Sequence, residues 1–145
     1  MSVNLIAENT RLALAQSLAI LERHRDGVTA SMQKRLVAME TSDEAFGQGD
    51  ITALVLVRLL LGAAGDLVEG REVGDLREEA AEHRRLEIDG RHYSRFGLAL
   101  GGVLRETLGP RLSPAMVSAW TDAYWFVVRE LAPVETGPAR LSRFG

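Results

Sequence analysis

Apolar side chains recur every three or four residues along most of this chain. Two such runs cover about residues 4–23 and 28–40, and two more cover about 91–108 and 114–133. This spacing collects the apolar positions on one face of an α-helix. Asn4 or Asn9 is a suitable cap for the first helix, and Pro133 predicts the end of the last one. We expect residues 136–145 to form a loosely ordered tail.

Residues 51–68 differ from the other runs because they are apolar almost all round. A helix of that kind has protein on most of its sides, which predicts a central position in the fold. A buried strand would also give a continuous apolar run, but the length of the segment and its alanines favour a helix. Asp50 is the expected cap, and Gly62 and Gly65 would let another helix cross closely.

A short polar helix follows, between the glycine-framed link 70–74 and the break at Asp89-Gly90. Asp75 is its expected cap, and it carries His83. No segment alternates between apolar and polar residues with the period of two that a strand requires. The sequence therefore predicts an all-α fold of six to seven helices in a single domain, residues 1–145.

Composition narrows the possible functions. The chain has 145 residues, a net charge of -3 and no cysteine. That charge gives no basic field for nucleic acid or an anionic membrane surface, and the lack of cysteine excludes disulfides and thiolate metal sites. The apolar stretch 53–64 contains Arg58 and is too short to span a bilayer, and the N-terminus does not resemble a signal peptide. We expect a soluble, cytoplasmic protein.

His83 is the main candidate for chemistry. A histidine near a helix end, followed by a turn, can direct its imidazole into the space between helices and ligate the metal of a flat apolar cofactor. Taken alone, such a histidine is more often a surface residue or a cation at a helix C-terminus. Tyr93 lies ten residues further on, at the start of the next helix.

Three groups of residues carry a family resemblance. The segment 83–93, HRRLEIDGRHY, resembles the link from a proximal histidine to the next helix, and Ala119-Trp120 followed by Tyr124 resembles a last-helix signature. Residues 29–33 and 35–36 resemble a second helix, with Phe46 at the place of a haem-packing phenylalanine. Over about residues 10–135 the chain resembles the globin domain of bacterial flavohaemoglobins and single-domain haemoglobins.

The resemblance implies a haem b site. His83 would be the proximal iron ligand, Tyr93 would support it, and Glu135 falls where the family has a glutamate eleven residues after Tyr124. A carboxylate that accepts a hydrogen bond from the imidazole would strengthen its donation to iron. Core packing with a hydrogen-bonded hydroxyl is the alternative for both tyrosines, and for Tyr124 we prefer it.

On the distal side, several residues depart from the family pattern. Ile51 replaces a glutamine, Val55 lies one turn further along the same face, and Met32 or Gln33 occupies the place of a distal tyrosine. Such a pocket offers bound oxygen few hydrogen-bond donors, with Gln33 as the candidate exception. The loop between Phe46 and Ile51 is about half as long as in the family that the chain resembles.

On the proximal side, Glu79 stands where the family has an aliphatic haem contact. An unpaired carboxylate buried against porphyrin would cost several kcal/mol. Arg58, which shares a helix face with Ile51, is a possible partner. Arg84 and Arg85 are candidate partners of the haem propionates, or simply a solvated surface pair.

Two functions are consistent with these residues. One is a haem globin that binds a diatomic gas, oxygen or nitric oxide. No reductase segment follows in the sequence, so redox turnover would need an external electron donor, and enzyme activity stays open. The other is a haem-free globin-fold module for sensing or protein interaction. A linear-tetrapyrrole protein is disfavoured because thioether attachment needs a cysteine.

Trp125 suggests a homodimer. It lies roughly 100° around the last helix from Tyr124, away from the apolar stripe, and Phe126 is also displaced. Exposed aromatic surface is usually covered, and Gly97, Gly101 and Gly102 would let a second copy approach. Alternatively, Trp125 lies over the C-terminal tail, near Leu141 or Phe144.

Overall fold

The computed structural model describes residues 6–44 and 47–144, and for residues 132–144 it describes the helix without side chains. The predicted all-α class is confirmed, since this part of the chain contains helices and turns and no strand. The bounds are α1 (Glu8–Arg23), α2 (Arg25–Ala38), α3 (Gln48–Val68), α4 (Arg77–Arg85), α5 (Gly90–Leu108) and α6 (Pro114–Phe144), with a 3₁₀ turn at Gly109–Arg111.

Four helix ends differ from those predicted. Asp75 does not cap α4, whose cap is Leu76, although the Asp75 carboxylate accepts from the Arg77 N–H at 3.0 Å. Asn9 lies inside α1, whose cap is Ala7, while Asn4 falls outside the described residues. Asp50 does not cap α3, because the helix begins two residues earlier, after Gly47 with its left-handed φ of 86°. Pro133 does not end α6, which continues to Phe144. A proline lacks the amide hydrogen but removes only one hydrogen bond of a long helix.

The helix α3 lies at the centre of the fold, as its apolar sequence predicted. It packs against α1 and α2, while α5 and α6 complete the bundle by packing on α2 and α1 respectively and on each other. Trp120 of α6 is fully buried and donates from its indole nitrogen to Ser17 Oγ of α1 at 2.8 Å. That serine passes the hydrogen bond on to the Ala13 carbonyl at 2.7 Å.

The length and mean hydropathy of α3, 2.0 over its most apolar window, would let it cross a membrane. It is the one such helix in the described ranges 6–44 and 47–144, and 61% of that window is buried inside the fold. The core helix of a water-soluble domain has the same properties, so this feature does not by itself indicate a membrane protein.

Trp125 is half-buried against α5. A Cβ atom added at Gly97 would stand 2.1 Å from the Trp125 ring, so the indole covers this glycine of α5. The ring also packs edge-on against Tyr124, and Phe126 is buried. Guanidinium groups fill the space at the other two glycines, Arg105 at Gly101 and Arg35 at Gly102. Contacts within one copy therefore account for the surroundings of these three glycines, and the homodimer stays a prediction. The alternative contact of Trp125 with Leu141 or Phe144 lies outside the described side chains.

The short helix α4 packs against α6 and faces α3 across a cavity. Two contacts bridge this space: the Arg58 guanidinium lies 2.7 Å from a Glu82 carboxylate oxygen, and the Gln48 amide donates to the Leu86 carbonyl at 3.1 Å. Nothing approaches Gly62 or Gly65 within 4 Å of an added Cβ atom. The close helix crossing expected at these glycines is absent, and Gly62 lines the cavity instead.

Candidate functional site

The backbone of His83 is fixed by the turn that ends α4. Ile88 N–H donates to the His83 carbonyl at 2.8 Å, and Glu87 N–H donates to the Arg84 carbonyl at 3.1 Å. These two bonds form a Schellman motif around a left-handed residue, which here is Glu87 with φ 62°. A glycine usually occupies that position, so the turn carries conformational strain in this chain.

Hydrogen bonds also fix the start of α5. Asp89 Oδ1 accepts from the Arg91 N–H at 3.0 Å, and His92 Nδ1 accepts from the Asp89 N–H at 3.0 Å. The Asp89 side chain also accepts from the His92 N–H, and the reciprocal bonds between these two residues form a capping box in which histidine takes the place of the usual glutamate. Since both sides of the α4–α5 link are held, the side chains of His83 and Tyr93 have a defined relative position.

His83 is completely buried, and its Nδ1 atom lies 2.7 Å from the Tyr93 hydroxyl oxygen. The Tyr93 backbone is held in turn, because the Tyr124 hydroxyl donates to the Tyr93 carbonyl at 2.7 Å. Burial raises the pKa of Tyr124 well above its usual value, so its hydroxyl stays protonated and can donate. The Tyr93 hydroxyl therefore orients the His83 imidazole directly, whereas Tyr124 bonds the Tyr93 backbone and does not touch the ring.

The other ring nitrogen of His83, Nε2, is buried and has no hydrogen-bond partner. Burial lowers the pKa of the His83 imidazole; the Glu82 carboxylate opposes this shift and Arg58 adds to it. A lowered pKa favours the neutral ring, in which one nitrogen keeps a lone pair. With the proton on Nδ1, the lone pair of Nε2 is available to a ligand.

The cavity between α3 and α4 has a volume of about 370 Å³, and His83 forms part of its wall. Its remaining lining combines apolar surface with four carboxylates and one guanidinium. The apolar side comes from Val55, Leu59, Gly62, Ala63, Val73 and Leu76, and the charged side from Asp66, Asp75, Glu79, Glu82 and Arg58.

Glu79 is the second unusual side chain in this cavity. Its Oε1 atom is buried without a hydrogen-bond partner. Arg58 does not pair with it, contrary to our expectation, because the guanidinium binds Glu82 instead. In the described part of the chain, three buried side-chain atoms have no partner: His83 Nε2, Glu79 Oε1 and Thr52 Oγ1. The first two share one cavity.

Of the four residues predicted for the distal side, Val55 is the one that lines the cavity. Ile51, one turn earlier on the same face of α3, is 40% exposed. Met32 is completely buried in the core of the bundle. The Gln33 amide donates to the Asp50 carbonyl at 3.3 Å. In this structure Gln33 is therefore engaged at the start of α3 and does not line the cavity.

The remaining predicted residues lie at the edge of the site or outside it. Arg84 is exposed on α4, and Arg85 lines a depression that shares Arg58, Glu79 and Glu82 with the cavity. Phe46 lies outside the described residues, and Glu135 belongs to the stretch whose side chains are not described.

His92 was not predicted as a site residue, but its side chain links the start of α5 to the segment that follows α2. Its Nε2 atom donates to Glu44 at 3.1 Å, while Arg95 approaches both oxygens of the same carboxylate at 2.8 Å. The Thr41 N–H adds a third donor at 2.7 Å, and the Glu44 side chain is 3% exposed. The position of His92 three residues after Asp89 could have indicated its role in the helix cap. Its contact with Glu44 could not have been found this way, because Glu44 lies 48 residues away in the sequence.

The geometry defines a helical protein of globin-like fold, with a buried histidine facing a cavity between two helices. The model of the Globin family matches residues 53–131, which is more than half of the chain. The chain belongs to the globin family.

Proposed function

We propose that this globin binds haem b through His83 and presents it to a diatomic gas such as oxygen or nitric oxide. The observation that carries the proposal is the buried Nε2 atom of His83, which has no partner and lines the cavity between α3 and α4. An imidazole that is neutral, and oriented by a hydrogen bond through its other nitrogen, meets the requirements of an axial haem ligand.

The surface of α3 next to the cavity supports the proposal. Ile51 and Leu54 are 40% and 55% exposed, although they lie on the most apolar helix of the chain. They continue the face on which Val55 and Arg58 line the cavity. A flat apolar cofactor that extended outward from His83 along this face would cover both side chains. Bound haem would supply an iron atom with a coordination position for the gas.

The residues of the chain would determine the environment of that gas. Val55, Ile51 and Leu54 are apolar and offer no hydrogen-bond donor, and the Gln33 amide is already used by the Asp50 carbonyl. Arg58 is the cation nearest to the cavity and is the candidate partner for a propionate, in competition with Glu82. We propose an apolar gas site.

A hemin titration followed by absorption tests the proposal. We expect wild-type protein to give a stoichiometric Soret band with the signature of histidine ligation. His83→Ala should lose the ligated spectrum, since its methyl group cannot coordinate. His24→Ala is the matched control: the Nδ1 atom of His24 bonds the Ile20 carbonyl at 2.9 Å at the α1–α2 junction, so the variant should keep the wild-type spectrum. A His83→Ala protein with the wild-type spectrum and affinity would refute the assignment.

Glu79 favours a second candidate function, a haem-free globin-fold module for sensing or protein interaction. A carboxylate oxygen buried without a partner is unfavourable against a porphyrin, which cannot donate a hydrogen bond to it. Wild-type protein that folds but gives no saturable hemin binding would support this second function and exclude the first.

A further inference from the structure

Two unpartnered atoms in one cavity require an explanation beyond haem binding. Glu79 and His83 lie four residues apart on α4, so their side chains leave the helix on the same face. Both line the cavity, and Glu79 Oε1 and His83 Nε2 are buried with no hydrogen-bond partner. Leaving a buried polar atom unsatisfied is costly, so a ligand that engages both atoms would remove two penalties at once.

The two atoms are of a kind that binds cations. A carboxylate oxygen only accepts hydrogen bonds, and the Nε2 atom of a neutral imidazole carries a lone pair when the proton lies on Nδ1. A porphyrin iron would engage the nitrogen and leave the oxygen unsatisfied. A metal ion can engage both, and carboxylate with imidazole is a donor pair that suits divalent zinc, cobalt and nickel.

The other carboxylates of the cavity wall are already engaged by arginines. Asp66 pairs with Arg71 at 2.9 Å, Asp75 with Arg77 at 2.7 Å, and Glu82 with Arg58 at 2.7 Å. Glu79 is the cavity carboxylate for which no such pair is found in the described residues. The arginines balance the charge of these three carboxylates, so Glu79 is the one with an oxygen to donate.

We propose that the cavity between α3 and α4 binds a divalent transition-metal ion, with Glu79 Oε1 and His83 Nε2 as its two protein ligands. Within residues 6–44 and 47–131 no group of three potential ligands is close enough to hold a metal, so water completes the coordination shell. The cavity, at about 370 Å³, has room for that water. The ion and the iron of haem compete for the same nitrogen.

Zinc titration calorimetry and cobalt absorption on tag-free, haem-free protein test this site. We expect one equivalent of each ion to bind to the wild-type protein. Glu79→Gln should weaken binding by more than about tenfold, because even the loss of an outer-shell partner has about that effect. The matched control is Glu78→Gln, which removes the same charge from an exposed position of the same helix and should leave the affinity unchanged.

We expect zinc binding and hemin binding to respond to Glu79→Gln in opposite directions. Losing the buried carboxylate weakens zinc binding and strengthens hemin binding, whereas His83→Ala weakens both. Circular dichroism verifies that each variant is folded. If His83→Ala does not fold, the zinc affinity of Glu79→Gln still tests the site. Wild-type protein that binds no zinc, or Glu79→Gln protein that binds it as tightly as wild type, overturns the metal site. Neither result affects the hemin test, so failure of the two proposals can be distinguished.

Discussion

His83 and His92 lie nine residues apart, are both buried, and occupy opposite environments. Both nitrogens of His92 are used: Nδ1 accepts from the Asp89 N–H, and Nε2 donates to Glu44. His83 uses Nδ1 with Tyr93 and leaves Nε2 without a partner at a cavity wall. The comparison shows that burial alone does not identify a functional histidine. What distinguishes the two is whether the second nitrogen has a partner.

The two sites also differ in how charge is balanced. At His92, the Glu44 carboxylate receives Arg95, Thr41 and the imidazole, so the corner is a closed network. At His83, Glu79 has a buried oxygen without a donor, and the pair Arg58–Glu82 joins the two helices that line the cavity. A closed network stabilises the fold, whereas an open one leaves binding capacity.

The largest effect on stability is expected from Glu44→Gln. The variant removes the negative partner of Arg95 and His92 from a position with 3% side-chain exposure. Breaking a buried pair by removing one partner costs about 3–5 kcal/mol. Urea unfolding measures the loss, and Glu106→Gln, at the exposed Arg35 pair, is the control with an expected change below about 1 kcal/mol. Equal effects of the two variants would show that the Glu44 corner is not a closed network.

The network around Glu44 also predicts that the free energy of unfolding depends on pH in the acidic range. The Thr41 N–H and then Arg95 lower the pKa of Glu44 from 4.5 to about 2. A depressed folded pKa stabilises the protein above the unfolded value, and that contribution is lost as pH falls from about 4.5 towards 2. From the size of the shift, the loss approaches about 3 kcal/mol. Urea midpoints across this range should fall more steeply in wild type than in Glu44→Gln; parallel curves would contradict the assignment.

At the open site, Tyr93→Phe should have a smaller effect on stability and a specific effect on binding. It removes the hydroxyl that lies 2.7 Å from His83 Nδ1. Leaving the buried nitrogen without this partner should lower the free energy of unfolding by about 1–3 kcal/mol. Hemin should bind more weakly, because the ring loses its orientation. Tyr124→Phe, which loses a bond to the Tyr93 carbonyl but does not touch His83, is the matched control. Unchanged hemin binding in Tyr93→Phe would show that Tyr93 does not orient the ligand.

The smallest expected change is a gain in stability from Glu87→Gly. The φ of 62° at Glu87 places a residue with a Cβ atom in the left-handed region. Glycine adopts it without that strain, so we expect stabilisation by about 0.5–1 kcal/mol, measured as a higher urea midpoint. Glu72→Gly, in the link before α4, is the control without such a gain. Destabilisation of Glu87→Gly would show that the turn differs from a Schellman motif.

Much of the fold was predictable from apolar spacing, because that spacing reports which helix faces are buried. The central position of α3 and the break at Asp89-Gly90 followed from local pattern. The extension of α6 past Pro133 did not, because one proline does not decide the end of a long helix. The left-handed Glu87 also gave no signal, since glycine is the residue that marks such a turn.

The site was less predictable than the fold. The segment around His83 and Tyr93 could be identified because its residues are local in sequence. The partners of Arg58, Gln33 and Trp125 could not, because each depends on which of several nearby groups is closest in three dimensions. Helical periodicity fixes the face on which a side chain lies and does not fix its contact.

The tautomers of the two histidines provide the most direct test of the central difference. In haem-free and metal-free protein at neutral pH, long-range proton–nitrogen NMR reports which ring nitrogen carries the proton. We predict that His83 carries its proton on Nδ1 and has a bare Nε2, whereas His92 carries on Nε2 the proton that it donates to Glu44. A His83 ring that carries its proton on Nε2, or that is charged at neutral pH, would contradict the account.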